Sequence, residues 1–244
     1  MGDVEEYRPL ESLDFVWSRQ RRLTMMSNFL ALQENGYAMA EAIFGPTEMR
    51  SVEETLEGVS GAGAGTRSLL ELAWCQALVL QLRDALELRG MAIQCTLFDK
   101  APGRNWLVPL HQDLSIPVRE RVEHPALSAW SIKEGMQFVQ APVELLEQLI
   151  AVRIHIDDCG EDNGPLRVVP GSHRHGRLSA EESKRLRAAV GEVSCPAKRG
   201  DVLLFKPLLL HASSRSSSPR HRRVLQFLFG PTSIGYGLQW EQAA

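Results

Sequence analysis

Two short stretches, "LHQD" at 110–113 and "RIHIDD" at 153–158, each set a histidine two residues ahead of an aspartate, and a third, "LLLHASS", places His211 in an apolar run much later in the chain. Alternate residues of a β-strand share a face, so His111 with Asp113, or His155 with Asp157, could close on one ion from a single strand. Two imidazoles and one carboxylate on a single octahedral face are the donor set that commonly holds a redox-active ferrous ion and leaves the opposite positions open. Either pair, joined by His211, supplies that set, and spacing alone does not choose between them. Asp157 and Asp158 run into the turn-rich "CGEDNGP", where acidic side chains cap backbone amides, which favours a structural role for the second pair. His173 and His175 in "PGSHRHG" repeat the spacing but read as a Pro-Gly turn, and Asn163-Gly164 as a tight turn before the next strand.

If such an ion is chelated by 2-oxoglutarate, the far carboxylate of that molecule needs a cation deep in the fold, and an arginine fork suits a carboxylate geometrically. In "HASSRSSSPRHRRVLQFLF", Arg222 stands eleven residues after His211 at the start of an apolar run, with Ser213 two residues after the histidine. Arg215, Arg220 and Arg223 read as a solvated basic turn.

The elements that must position these residues change texture along the chain. Residues 12–35 carry a helical pattern, "GYAMAEAIF" reads as a strand ending at Gly45-Pro46, and Thr47 is placed to cap the helix "TEMRSVEETLEG". "GVSGAGAGT" follows a helix and lacks the last glycine of a dinucleotide fingerprint, so it reads as a loop. "LLELAWCQALVLQLRDALELRG" is strongly helical up to Gly90. From residue 91 come strand-length runs, "MAIQCTLFD", "WLVPLHQD", "AVRIHIDD", "LRVVPGS", "DVLLFKPLLLH" and "RRVLQFLFG", divided by turn residues. They predict a sandwich or barrel with helices packed outside. Between Asp113 and Ala151 lies a long connection with a short helix near "VELLEQL", a length typical of lids and binding loops.

A chain of 244 residues, 44% of them hydrophobic, fits a single domain with a helical part over about 1–90 and a barrel over about 91–232. The net charge of −3, with basic residues scattered, argues against nucleic acid as a partner. Four cysteines without a CxxC pair argue against a zinc ribbon or disulfide framework and suit a reducing, cytoplasmic setting. No apolar run approaches the roughly 18 residues a membrane span needs, and the acidic N-terminus lacks the features of a signal peptide or a myristoylation site.

Taken in order, "NGYAMAEAIF", "LHQD", "DDCGEDNGPLRVVPGSHRHG", "GDVLLFKPLLLHASS" and "RRVLQF" resemble the phytanoyl-CoA dioxygenase family of iron(II)- and 2-oxoglutarate-dependent oxygenases, over roughly residues 35–230. The resemblance implies a mainly β fold with flanking helices, the double-stranded β-helix or cupin-like jelly roll. It implies Fe(II), 2-oxoglutarate and O2 as reactants and makes His111, Asp113 and His211 the metal ligands. Arg222 with Ser213 would hold the distal carboxylate, and Gln94, with Thr96 on the same face, would touch the cosubstrate. Related halogenases leave the carboxylate position to a small residue, so Asp113 favours hydroxylation of an unactivated C–H bond, with succinate and CO2 released. Leu110 departs from the tryptophan that relatives often carry before the HxD pair, although Trp106 is close by. Trp130, Gln137 and Arg153 are the substrate-contact candidates, and without a basic cluster beyond "RHRR" to grip coenzyme A, a small metabolite or biosynthetic intermediate is the expected substrate. Two other readings stay open: a zinc hydrolase on the same three ligands, and a catalytically silent barrel that binds a small molecule or a partner protein. Oligomeric state is not legible.

Overall fold

The computed structural model describes residues 19–59 and 65–244; the start of the first predicted helix and most of "GVSGAGAGT" lie outside the described residues. Helix α1 (Arg19–Asn35) leads into strand β1 (Tyr37–Ala40), and helices α2 (Pro46–Leu56) and α3 (Ala73–Leu86) precede the long β2 (Met91–Lys100). Then come β3 (Val108–His111), β4 (Ser115–Val118), β5 (Ser128–Lys133), β6 (Met136–Gln140), the single turn α4 (Val143–Leu146), β7 (Ile150–His155) and β8 (Leu166–Val168). Helix α5 (Ala180–Val190), β9 (Val193–Cys195), β10 (Val202–Phe205), β11 (His211–Ser213) and β12 (Arg222–Gly230) complete the chain.

The strands form three antiparallel sheets: β1-β10-β7-β12-β2, β3-β11-β8-β9 and β4-β6-β5. The first two are the walls of a double-stranded β-helix. Period-2 alternation divides the large sheet cleanly between its faces. Val152, Ile154, Val202, Leu204, Leu225 and Phe227 join Met49, Val52, Leu78 and Leu82 of α2 and α3 in one apolar core. The inner face is different. There the register lines up Leu203, Arg153, Gln226 and Thr96 across four strands, with His155, Val224 and Phe98 in the next row and Arg222 opposite Lys100 at the end. Helix burial and strand register therefore fix which side chains enter the barrel: the apolar set faces the helices and the set that holds the polar residues faces the barrel interior.

Four local expectations need correction. The run "DVLLFKPLLLH" is two strands, not one: Lys206-Pro207 breaks it, Leu209 N closing a turn on Lys206 O at 2.9 Å, so β10 lies in the large sheet and β11 crosses to the other. The long connection after Asp113 is mostly the third sheet, whose β5–β6 hairpin turns through Glu134 (φ 50°) and Gly135 (φ 84°). Its signal, a two-residue turn between alternating runs, was present as "SIKEGMQF". At α2 the N-cap is Gly45 with Pro46 in the first turn, rather than Thr47. Arg223 is not a solvated turn residue: it donates to Asp157 (Nε–Oδ2 2.9 Å, Nη2–Oδ1 2.7 Å) and to Glu53, tying β12 to α2. Strand pairing puts Arg223 on the helix-facing side, opposite to Arg222, which is why adjacent arginines have different fates. Arg220, by contrast, is exposed and reaches Asp162 at 3.3 Å.

All four cysteines are buried free thiols. Among the described residues no helix is long and apolar enough to cross a membrane.

Candidate metal centre

His111 ends β3 and His211 begins β11, and the two lie directly opposite in the antiparallel register. Their rings sit 4.2 Å apart between centroids. Asp113 lies just past the end of β3, where its backbone N–H donates to Pro207 O at 2.9 Å, a bond that carries it back alongside the pair. His111 Nε2 is 3.3 Å from Asp113 Oδ1 and His211 Nε2 is 3.7 Å from Oδ2. Ligand atoms of the three residues fall within 4.8 Å of one another, close enough to share one ion.

What orients the imidazoles is backbone. Nδ1 of His111 is 2.8 Å from Pro109 O and Nδ1 of His211 is 2.8 Å from Leu209 O, so each ring spends one nitrogen on a carbonyl two residues back and turns the other inward. Such an outer hydrogen bond fixes the tautomer a metal requires. Gln112, between the ligands, points the other way and is fully engaged: Nε2 donates to Gly176 O and Leu208 O, each at 2.7 Å, and Oε1 accepts from Leu178 N at 2.9 Å. The residue that spacing turned away from the site is thus the bolt that holds its strand end in place.

Exposure is uneven across the three. His211 is 4% exposed, whereas Asp113 and His111 keep 36% and 37% of their side-chain surface open to the cavity. Burial pushes the His211 imidazole down to about 4, with the charge of His111 acting the same way and Asp113 opposing it. Burial also raises the Asp113 carboxyl, but the imidazoles of His211 and His111 and the charge of Arg153 outweigh it and hold it well below the usual carboxylate range. A neutral imidazole beside an ionised carboxylate is the protonation pattern of a metal site.

The other HxD pair does not join them. His155 is buried on the inner face with Nδ1 lacking a hydrogen-bond partner, and Asp157 is consumed by Arg223. His173 lies against α1, Nε2 3.2 Å from Gln33 O, away from the cluster. Asn163 does more than form a turn: fully buried, it donates to Asp158 O and His221 O and accepts from Ser216 Oγ at 2.7 Å. Gly164 follows at φ 60°, and a Cβ there would stand 2.6 Å from Ser214 O, so only glycine fits.

Behind the cluster sit three buried cations. Lys100 is 0% exposed, Arg222 3% and Arg153 7%. Lys100 Nζ donates to Ser213 Oγ at 2.9 Å and Ser214 O at 2.7 Å, Ser213 Oγ in turn donates to Gly164 O at 2.9 Å, and Arg222 Nη1 donates to the same carbonyl at 3.1 Å. Nε of Arg222 is buried without a partner. Arg153 donates Nε to Gln226 Oε1 at 3.1 Å and lies between the rings of Phe98 and Phe205, 5.9 and 5.6 Å from their centroids. Burial first, then the charges of Arg222 and Arg153, bring Lys100 down to about 7; burial and Arg222 bring Arg153 down to about 10. No carboxylate pairs with any of the three among the described residues. Buried charge without a counter-charge costs several kcal/mol per ion, on the order of 3–5 when a partner is missing, so an anion reaching this group would meet three cations without a carboxylate partner. Lys100 was not singled out in the sequence, though a lysine at the inward end of an alternating strand was the available signal.

A cavity of about 320 Å3 opens onto the cluster, lined by His111, Asp113, Gln94, Gln226, Phe138, Lys133 and Arg67 among others. Gln94 meets the cavity and donates Nε2 to Thr96 Oγ1 at 2.8 Å. Arg222, Ser213 and Thr96 are not among the lining residues. Neither are Trp130, which carries Arg121 5.7 Å from its ring centroid, nor Gln137, whose neighbour Phe138 takes the wall position instead.

A double-stranded β-helix with a His-Asp-His cluster opening onto a cavity and buried cations nearby is the architecture of a non-haem iron, 2-oxoglutarate-dependent oxygenase. The family model "Phytanoyl-CoA dioxygenase (PhyH)" matches residues 65–224, and the chain belongs to that family. Solved structures share the fold: the non-haem α-ketoglutarate-dependent carbocyclase SnoK from nogalamycin biosynthesis (17% identity, TM-score 0.60, covering 86% of this chain and 88% of that one) is one. EctD from S. alaskensis, solved with 2-oxoglutarate and 5-hydroxyectoine (19%, 0.61, 88% and 76%), is another. HygX from Streptomyces hygroscopicus, solved with nickel and 2-oxoglutarate (19%, 0.58, 84% and 87%), is a third. No curated protein sequence matches the chain. The cofactors of the chain are those of its family, ferrous iron and 2-oxoglutarate with O2.

Proposed function

We propose that the protein is a hydroxylase that inserts oxygen into an unactivated C–H bond of a small metabolite or biosynthetic intermediate. His111, Asp113 and His211 would hold the iron, and Arg222 with Ser213 the distal carboxylate of 2-oxoglutarate. The observation that carries this reading is the pinning of both Nδ1 atoms to backbone carbonyls, which leaves two Nε2 atoms and one carboxylate converging on a single point. Bound iron would activate O2, the oxidant, which oxidises 2-oxoglutarate to succinate and CO2 and the substrate C–H to an alcohol, one oxygen atom going to each.

The chain's own residues do the rest. Buried His211 anchors the inner side of the cluster, while the open faces of His111 and Asp113 leave room for other reactants. The orphaned Nε of Arg222 is a donor waiting for an acceptor, and Lys100 polarises the Ser213 hydroxyl beside it. Gln94 presents its amide from the cavity wall. Phe138, Leu146 and Leu149 exclude water from one side of the cavity. The carboxylate of Asp113 leaves no vacancy for a halide among the three ligand positions, which favours hydroxylation over halogenation. A zinc hydrolase on the same triad would give three buried cations no task.

The test is an anaerobic titration of the metal-free protein with ferrous iron and 2-oxoglutarate, followed by the visible charge-transfer band of the chelate. A saturable band, lost in His211→Ala, is expected; Asp113→Ala should in addition abolish succinate release. A folded wild-type protein that gives no band would defeat the proposal.

A further inference from the structure

The cavity holds two kinds of surface. Ile116, Phe138, Leu146 and Leu149 form an apolar wall, and Arg67 and Lys133 bring positive charge to the same space. The two cations are not equivalent. Arg67 is engaged with Glu134, through Nη1 to Oε1 at 2.9 Å and its backbone N–H to Oε2 at 2.8 Å, although its Nε is buried without a partner. Lys133 makes no hydrogen bond and no ion pair among the described residues. Its ammonium rests 4.6 Å from the centroid of the Phe138 ring, half-buried at the end of β5.

A half-buried lysine held over an aromatic face, with the nearest carboxylates already committed to the metal cluster and to Arg67, lacks a counter-charge. Burial and the charge of Arg67 work against its charged form and Asp113 offsets them only in part, so an anionic ligand would favour the ammonium. Nor can the reactants assigned above neutralise the site. Even with Lys100 taken as neutral, Arg153, Arg222, Lys133 and a divalent metal together outnumber the charges of Asp113 and the dianion 2-oxoglutarate.

Resting on the oxygenase reading, we infer that the substrate is a small carboxylic acid with an apolar body: its carboxylate pairs with Lys133, its body lies along Phe138 and Ile116, and its reacting carbon faces the open side of the His111–Asp113–His211 cluster. A carboxylate is the smaller demand on one free ammonium, since phosphate sites typically add converging backbone N–H donors and the cavity lining here is side chains. Lys133 is thus a specificity determinant, apart from the metal and cosubstrate positions.

The experiment uses wild type and variants charged anaerobically with Fe(II) and 2-oxoglutarate. The chelate band is recorded first, and binding of phenylacetate, phenylacetamide and benzyl phosphate is then measured by calorimetry. The acid is expected to bind about tenfold more tightly than its amide; Lys133→Met should erase that preference while the band persists, and Lys133→Arg should recover it. Equal affinities for acid and amide, an acid affinity unmoved by Lys133→Met, or no binding of any probe to a complex whose band has formed would overturn the inference. Tighter binding of benzyl phosphate than of phenylacetate would overturn the choice of a carboxylate. Absence of the band in wild type is a different failure, that of the oxygenase reading itself.

Discussion

His155 is a buried imidazole that the proposed chemistry does not use. Burial, helped by the charges of Arg153 and Arg222, pushes it down to about 3, against about 6.5 in an unfolded chain. Between those values the unfolded chain binds a proton that the native barrel refuses, so its contribution to stability is intact above about pH 6.5 and is lost progressively as pH falls toward 3. The slope is up to about 1.4 kcal/mol per pH unit for one proton. Urea unfolding of the metal-free protein from neutral pH down to about pH 5, above the range in which most carboxylates titrate, should therefore have a steeper pH dependence in wild type than in His155→Leu. Parallel curves would mean that the native barrel takes up the proton after all. The same residue marks what the sequence made legible. The donor types, the i, i+2 spacing and the third histidine were all visible. Which HxD pair belonged to His211 was not visible in the spacing and came only from the family resemblance, because register decides it: β3 lies opposite β11, while β7 lies between β10 and β12.

At the scale of elements, the site depends on how the ends of β3 and β11 are tied. Gln112 joins β3 to the backbone on both sides, through Gly176, Leu178 and Leu208, and Leu208 lies three residues before a ligand. Removing its side chain leaves three backbone groups to find water or go unpaired, each worth about 1–3 kcal/mol when buried. Outer supports of this kind typically alter metal affinity about 10–100-fold when lost. Gln112→Ala should retain the antiparallel fold by circular dichroism and weaken Fe(II) or Ni(II) binding by about tenfold or more, as read by calorimetry; an unchanged affinity would show that the backbone places Asp113 unaided. Sequence periodicity found the long strands because a strand packed on helices alternates regularly, as β7 and β12 do. It missed the split between β10 and β11 and the third sheet. An all-apolar run carries no period to reveal a crossover; in the third sheet Ser115–Val118 is too short to show one, and Ser128–Lys133 alternates only over its last residues, next to the Glu134-Gly135 turn.

For the whole molecule, the interior of the barrel trades stability for binding. Three buried cations face one carboxylate, Asp113, whose charge favours Arg153; the remaining repulsion and desolvation are offset by neutral partners: Ser213, the carbonyls of Gly164 and Ser214, Gln226, and the rings of Phe98 and Phe205. An anion that binds the native state alone stabilises it by RT ln(1 + [L]/Kd), about 2.7 kcal/mol at a hundred times Kd. The metal-loaded protein should therefore melt several degrees higher when 2-oxoglutarate is added, and the gain should depend on these cations. Arg222→Met separates the two sides of the trade. Replacing a buried, unpaired charge with an apolar side chain of similar length is often neutral or stabilising, so the melting temperature without 2-oxoglutarate should hold or rise, whereas the increment that 2-oxoglutarate confers should largely vanish. Loss of stability without ligand, together with an undiminished increment, would instead make Arg222 a structural strut between β12 and Gly164. The anion would then have to be held by Lys100 and Arg153, the other two buried cations.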